Sequence, residues 1–576
     1  MQLYSLQHNQ SITRQRRRNR VVPLLTAPAV VAVMVYAAPA AAVSCSDLTA
    51  LSLPNTTITL AQTYTAGATV SGNTKAPVGL CRVAGTIKPG SKSNVHFEVW
   101  IPTDGSWNGK YQQIGNGGFA GSISLSGIAN AVSRGYATAG TDDGTSGPPS
   151  GAPAFVESPG VLNMDVLLDY GYRAVKATTD DSKAIINTLM GHAPNYSYFV
   201  GCSDGGREAL QSAQRYPSDF DGIIVGSPVN DQVGEFGASY LYDMQATLTG
   251  PQTNGVPDAY IPTSKLALLS NAALDRCVGK DGGVETDAFL NDPRECNFDP
   301  KHVQCKKHDD PDTCLTPAQV DAAQKIYDGP HDGHVLLFPG LEPGGEGVPG
   351  DWNSWISGTS PTTPGSQFTL GFGFGCDLMQ GLTSCDYLSI DVVKQDDAAR
   401  QLLQPILSSV NPNLRAFKAH GGKMIQYAGW ADAAIAPQNG LNYYRKVTDT
   451  MGDPSDFYRV FMVPGMAHCS GGAGPNAFGN GTSNGPVIDA DHDLVKSLEQ
   501  WVEQGVAPER IIATHYVNNA PAQGVQFQRP LCPFPERSEY VGNGDPNNAA
   551  NFKCVARHDH NDPRNTGPQR AYNEGK

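Results

Sequence analysis

The sequence predicts an α/β fold interrupted by a long insertion, and three observations carry that expectation. Tyr198-Phe199-Val200-Gly201 reads as a short buried strand, followed by Cys202-Ser203-Asp204-Gly205-Gly206-Arg207 and a helix-like segment from Glu208 to Ala213. Strand-like and helix-like stretches alternate up to this point and alternate again between Lys423 and Val463, the pattern of a parallel sheet with helices on its faces. Between the two regular regions, residues 230–400 hold six cysteines and many Gly, Pro and Asp residues, which reads as an insertion over one face of the sheet.

Composition narrows the class. The 576 residues include 63 Gly and 42 Pro, and 17% are charged, against a usual share of about a quarter. That describes a loop-rich globular protein. A formal net charge of −14 leaves no electrostatic footprint for nucleic acid and speaks against docking on anionic membranes.

Taken in order, the chain starts with Arg14, Arg16, Arg17, Arg18 and Arg20, then an Ala/Val-rich run that ends in Ala40-Ala41-Ala42. A basic stretch, an apolar stretch and a small-residue site predict a secretory signal peptide over residues 1–42, cleaved after Ala42. The alternative, an uncleaved anchor, is disfavoured by Pro23, Pro28 and Pro39 within the run. The expected location is secreted or periplasmic. Twelve cysteines in an exported chain predict disulfides. Cys277 and Cys296, Cys305 and Cys314, Cys376 and Cys385, and Cys532 and Cys554 are sequence neighbours, and Cys45 with Cys81 would close an N-terminal loop. Cys202 and Cys469 are left over.

Residues 46 to about 110 read as short β segments, with Val95–Pro102 and Lys110–Ile114 as strands. The second strand runs into Gly115-Asn116-Gly117-Gly118, a loop without the Lys-Ser/Thr sequel of a phosphate-binding loop. Asp165 to about Leu189 is helical in period. The expected organisation is one α/β domain in two parts, 43–229 and 401–555, with the insertion at 230–400 and a polar tail at 556–576.

Gly201-x-Ser203-x-Gly205 between a strand and a helix is the pattern of a nucleophile elbow, a turn tight enough to require small residues beside the serine. The helix start behind it leaves unpaired N–H groups near a developing negative charge. Two later strand ends supply partners: Met424–Tyr427 leads to Asp432, and Val460–Val463 leads to His468. The order Ser203, Asp432, His468 is the order that accompanies this elbow. A histidine is needed to move the serine proton, and a carboxylate to fix its tautomer and steady its charged form. Asp432 could instead cap the following helix. Cysteines stand beside both Ser203 and His468. A Cys202–Cys469 bond would pull nucleophile and base together, and closing so long a loop could contribute roughly 5–6 kcal/mol in the chain-entropy model, an upper figure from which strain subtracts.

Here the chain resembles the tannase and feruloyl esterase family of α/β-hydrolases, a group that also contains a mono(2-hydroxyethyl) terephthalate hydrolase. The resemblance rests on Gly201 through Glu208, on Lys423 through Asp432, and on Val463-Pro464-Gly465-Met466-Ala467-His468-Cys469-Ser470-Gly471-Gly472. It implies an α/β-hydrolase fold with a large inserted lid domain, and backbone N–H groups of Gly118 and Asp204 as the oxyanion hole. It also implies the six cysteine pairs above as disulfides, Cys202–Cys469 among them.

Two metal patterns occur. His302, Cys305, His308 and Cys314 could be drawn as a zinc site, but a Cys305–Cys314 disulfide suits an exported chain better. Asp281, Gly283, Glu285 and Asp287 alternate oxygen donors around glycines, which suits Ca²⁺. The resemblance likewise implies a structural calcium in the lid. This chain departs from the family by having Val278 where a ligand aspartate is expected, and a solvated acidic loop is the alternative.

Trp352, Trp355, Phe372 and Phe374 could stack on an aromatic acyl group or form the core of the lid. No Arg stands between Asp351 and Cys385, which disfavours a substrate with a free carboxylate. The expected activity is carboxylic-ester hydrolysis of small phenolic esters, free or carried on plant polymer. Feruloyl (hydroxycinnamoyl) esters lead, followed by galloyl esters, then terephthalate half-esters. A non-catalytic, calcium-bearing binding protein is the reading from another class.

Overall fold

Nine strands form the central sheet, and their sequence explains where each lies. The structure, a computed structural model, describes residues 43–147, 153–481 and 485–556. The expected signal peptide and the polar tail, apart from residue 556, lie outside these residues. The strands are β1 (Thr56–Tyr64), β2 (Leu80–Ile87), β3 (Val95–Pro102), β4 (Lys110–Ile114), β5 (Ala137–Thr141), β6 (Tyr196–Cys202), β7 (Gly222–Gly226), β8 (Lys423–Gly429) and β9 (Tyr458–Val463). Their order across the sheet is β1-β2-β3-β5-β4-β6-β7-β8-β9.

The sheet is mixed, which corrects the expectation of a parallel one. From β5 to β9 every pairing is parallel. β1, β2 and β3 join by antiparallel pairing, and β3 meets β5 antiparallel. The burial patterns follow this division. β6, β7 and β8 are buried along nearly their whole length, as strands covered on both faces must be. β1 sits at the edge, none of its residues fully buried, and carries Thr and Gln residues outward.

The helical period read over Asp165–Leu189 appears as Met164–Leu168, a π-helical turn Asp169–Arg173, and Ala174–Met190. Asn163 caps its start by accepting the Val166 N–H, and Gly191 in the left-handed region ends it. It packs beneath the strands through Val175, Ile185 and Ile186.

β7 and β8 are neighbours in the sheet, yet most of the chain between them lies outside it. That segment contains the helices Tyr240–Leu248, Thr263–Cys277, Pro317–Asp328, Ser366–Phe372 and Val392–Leu402. It has its own apolar cluster, with Leu241, Leu269, Ile326 and Trp352 fully or almost fully buried. The last of these helices starts at its Asp391 cap and runs through residue 400, so the boundary placed there falls inside a helix.

Six disulfides join Cys45–Cys81, Cys202–Cys469, Cys277–Cys296, Cys305–Cys314, Cys376–Cys385 and Cys532–Cys554. His302 and His308, on either side of Cys305, are exposed. Among the described residues no helix is long and apolar enough to cross a membrane.

Candidate active site

Ser203 stands at the turn between β6 and the helix Asp204–Arg215, with φ 64° and ψ −121°. A non-glycine residue held there is strained, and close packing enforces it. A Cβ on Gly201 would meet the Gly205 carbonyl oxygen at 2.3 Å. Asp204 opens the helix, so its N–H lies in the first turn, where no intrahelical acceptor exists.

The other two expected residues leave β8 and β9, and the two loops are sewn together. Trp430 N–H donates to Val463 O at 2.9 Å and Ala431 N–H to Met466 O at 3.0 Å. Gly429 is required at this crossing, since a Cβ there would lie 2.1 Å from the Met466 carbonyl oxygen. His468 Nδ1 sits 2.9 and 3.1 Å from the two Asp432 carboxylate oxygens. Asp432 is 2% exposed. One of its oxygens also accepts the N–H groups of Ala434 and Ile435, both at 2.9 Å. The capping role weighed for Asp432 is not present, since the following helix, Pro437–Met451, has Ala436 at its start and no side-chain cap, and these two bonds belong to the loop before it.

Ser203 and His468 line one pocket of roughly 810 Å³. Cys202 and Cys469 also line it, bonded to each other with their Cα atoms 6.0 Å apart. Cys469 is itself held at φ 61°, and its carbonyl accepts from Asn480 Nδ2 at 3.0 Å. Gly115 to Gly118 form one wall, and Gly118 has φ 60°. Ser122, Ser124, Ser126 and Asn130 extend that wall, while Trp355, Ser366 and Leu370 come from the inserted segment. The Trp355 ring meets His468 edge-on at 5.1 Å. Of the aromatic residues read as candidates, Trp355 lines the pocket. Trp352 and Phe374 are core side chains, and Phe372 packs against Phe368 and Tyr387. Among the described lining residues His468 is the single ionisable side chain, the cysteines being bonded.

Sequence reasoning missed what lies behind the serine. The Asn116 N–H donates to Glu208 at 3.1 Å, its amide reaches Asp143 at 3.1 Å, and its carbonyl accepts the Gly205 N–H at 2.8 Å. Tyr170 Oη donates to Gly118 O at 3.0 Å and also meets Asp204 at 2.9 Å. Arg207, fully buried, pairs with Asp204. Among the described residues Asp143, Asp204 and Glu208 are the acidic group whose oxygens lie within 4.8 Å of one another, a cluster that could hold a metal ion. Burial and the Glu208 charge hold the Asp143 carboxyl well above the usual range, and burial with the Asp204 charge pushes Glu208 up to about 7. Asp143 and Glu208 are hydrogen-bonded to each other, so a proton supplies the cation the pair needs. No local signal marks this network, because its members come from four separate segments.

The expected calcium ligands do not fit Ca²⁺. Both Asp281 oxygens accept backbone N–H groups, from Gly283 at 3.2 Å, Asn291 at 2.5 Å and Asp292 at 3.1 Å. Asp287 turns one oxygen to Arg529 at 2.8 Å and the other to the Val284 N–H at 3.0 Å. Glu285 is exposed. Ca²⁺ takes six to eight oxygens, whereas here Val278 offers none from its side chain and a buried guanidinium already neutralises Asp287.

Comparison with known proteins fits this geometry. Residues 81–555 match the family model for tannase and feruloyl esterase. The chain belongs to the tannase and feruloyl esterase family. An uncharacterized esterase of Xanthomonas campestris pv. campestris is 37% identical over 569 residues, covering 94% of this chain and 96% of its own. A probable feruloyl esterase B-2 of Aspergillus flavus is 32% identical, covering 79% of this chain and 84% of its own. The crystal structure of feruloyl esterase B from Aspergillus oryzae superposes with a TM-score of 0.80 at 28% identity, over 89% of this chain and 99% of that one. Tannin acyl hydrolase from Aspergillus niger shares the fold, with a TM-score of 0.70 at 23% identity over 89% and 95% of the two chains. As a member of this family the chain is a carboxylic-ester hydrolase with an α/β-hydrolase fold.

Proposed function

We propose that this family member is a secreted serine esterase that cleaves esters of phenolic aromatic acids, feruloyl esters foremost, through an acyl-enzyme. The observation that carries the reading is one uncharged pocket lined by both Ser203 and His468, with His468 Nδ1 against Asp432. Ser203 Oγ attacks the ester carbonyl as His468 Nε2 takes its proton. That proton then leaves with the alcohol, and water attacks the acyl-enzyme by the same route in reverse. The Gly118 and Asp204 N–H groups hold the oxyanion.

Residues 230–400 serve as the lid. Trp355 and Leu370 supply the apolar surface for an aromatic acyl group, and Ser366 and the serines at 122, 124 and 126 supply neutral hydrogen-bonding groups. A neutral phenolic ring suits that lining, whereas a terephthalate half-ester would bring a carboxylate with no cation to meet it among the described lining residues. The names carried by the Aspergillus relatives favour feruloyl over galloyl esters. Six disulfides support an exported location. Calcium has no part in this reading: the loop at 281–287 is held by backbone N–H groups and Arg529.

The deciding experiment compares release from methyl ferulate, methyl gallate and p-nitrophenyl acetate. Preference for ferulate is expected. Preference for gallate would move the assignment to the tannase branch, and turnover of the acetate alone would overturn the aromatic pocket. Failure to react with a fluorophosphonate probe would mean a binding protein on an esterase scaffold.

A further inference from the structure

The backbone that follows Asp432 is gripped from above. Ala433 N–H donates to Asp351 Oδ1 at 2.8 Å, and Ala433 O accepts from Gln367 Nε2 at 3.0 Å. Ala434 O accepts from Tyr240 Oη at 2.7 Å, and Ala436 N–H donates to Glu235 Oε1 at 3.2 Å. All four side chains are 1% exposed, and all belong to the inserted segment. Apolar contacts follow the same division. Ala433 and Ala436 pack into the segment's own cluster with Trp352 and Ile356, and Ala434 and Ile435 pack with Phe374 and Leu370.

We propose that the inserted segment is a positioning device for Asp432: Tyr240 and Gln367 fix the two peptide groups on which the carboxylate rests, Asp351 and Glu235 fix the peptide groups on either side, and together they aim it at His468. This rests on the catalytic reading of Ser203, Asp432 and His468. The geometry leaves few alternatives for how Asp432 is held. The Asp432 oxygen that faces Ala434 and Ile435 depends on those two N–H groups pointing inward, and their peptide planes are set by the Tyr240 and Gln367 bonds to the adjoining carbonyls. A hydrogen bond from a buried side chain to a loop peptide is expensive to leave unmade, so the segment resists rotation of the loop. Burial, with Asp432 adding to it, holds the Asp351 and Glu235 carboxyls well above the usual range. The long insertion thus has a second task besides roofing the pocket. It carries the alignment of an acid that belongs to the sheet domain, and neither part is complete as a catalyst alone.

The test uses the full mature chain with p-nitrophenyl acetate, a substrate too small to need the aromatic roof. Tyr240→Phe removes one hydroxyl and keeps the ring; Gln367→Ala and Asp351→Ala remove the other two strongest contacts. Each is expected to lower kcat on the order of tenfold to a hundredfold with KM little changed. The acidic limb of the kcat profile should move to lower pH, because an imidazolium with a misplaced carboxylate loses its proton more readily. A purely structural role would lower the melting temperature and leave kcat per folded molecule and the pH limb where they were, and that result overturns the proposal. Should Asp351→Ala fail to fold, Tyr240→Phe decides alone: unchanged kcat and an unmoved limb overturn it. Ser203→Ala is run beside them. If it remains active, the triad reading has failed; if it is dead while Tyr240→Phe is unaffected in both readouts, this inference alone falls.

Discussion

The disulfide from Cys202 to Cys469 joins the residue before Ser203 to the residue after His468. The two residues at its edges that carry positive φ, Ser203 and Cys469, have strained backbones that a cross-link holds in register. Converting Cys202 and Cys469 together to Ala should lower stability by about 2–5 kcal/mol. Activity at a temperature where the variant is still folded should fall further than that loss implies, on the order of tenfold or more. Denaturant melts and kcat measured on the same preparation separate the two effects.

Ser203→Ala should lose at least about a thousandfold in kcat, with circular dichroism and melting temperature close to those of the parent. A fluorophosphonate should label the parent and leave the variant untouched. An active Ser203→Ala enzyme would sink the assignment.

Chelation should do nothing. The loop at 281–292 is held by the Arg529–Asp287 pair and by N–H groups on Asp281, so excess EDTA is expected to leave melting temperature and activity unchanged, and added Ca²⁺ to raise neither. Arg529→Met, in contrast, leaves a buried carboxylate without its partner and should cost about 3–5 kcal/mol. A fall of several degrees in EDTA would restore the metal.

Glu208 predicts a pH dependence of stability. Burial and the Asp204 charge raise its folded pKa to about 7, above its value of about 4.5 in an unfolded chain. The unfolded state therefore releases this proton first as pH rises. The stability tied to it is complete below about pH 4.5 and is lost as pH climbs through about 7. Melting temperature should decline over that window, and Glu208→Gln should flatten the decline. A parallel slope in parent and variant would remove Glu208 from the account.

Much of the site was legible because its parts are local. Gly201-x-Ser203-x-Gly205 between an apolar run and a helix start is a backbone requirement written in consecutive residues. The cysteines beside Ser203 and His468 marked which histidine to choose. What depended on distant packing was not legible. The mixed sheet escaped because β2 and β3 are as apolar as parallel strands, so pairing direction left no trace in their composition. The acidic run at 281–287 has the alternation of a calcium loop, yet its oxygens are taken by N–H groups at 291 and 292 and by an arginine far along the chain. Trp352 and Trp355 are three residues apart and only the second faces the pocket. Asn116, Asp143 and Glu208 meet through tertiary contacts alone.

The uncharged lining of the pocket bears on the end of the reaction as much as on its beginning. Under the proposed activity a neutral ester enters and a carboxylic acid is left behind, which ionises by passing its proton to water or to His468. Among the described lining residues no fixed cation stands ready to hold that carboxylate, His468 being the one ionisable side chain there. Once ionised, the product is better solvated outside the cavity than within it and moves toward water. Release is built into the chemistry, and the enzyme should go on working while free acid accumulates around it.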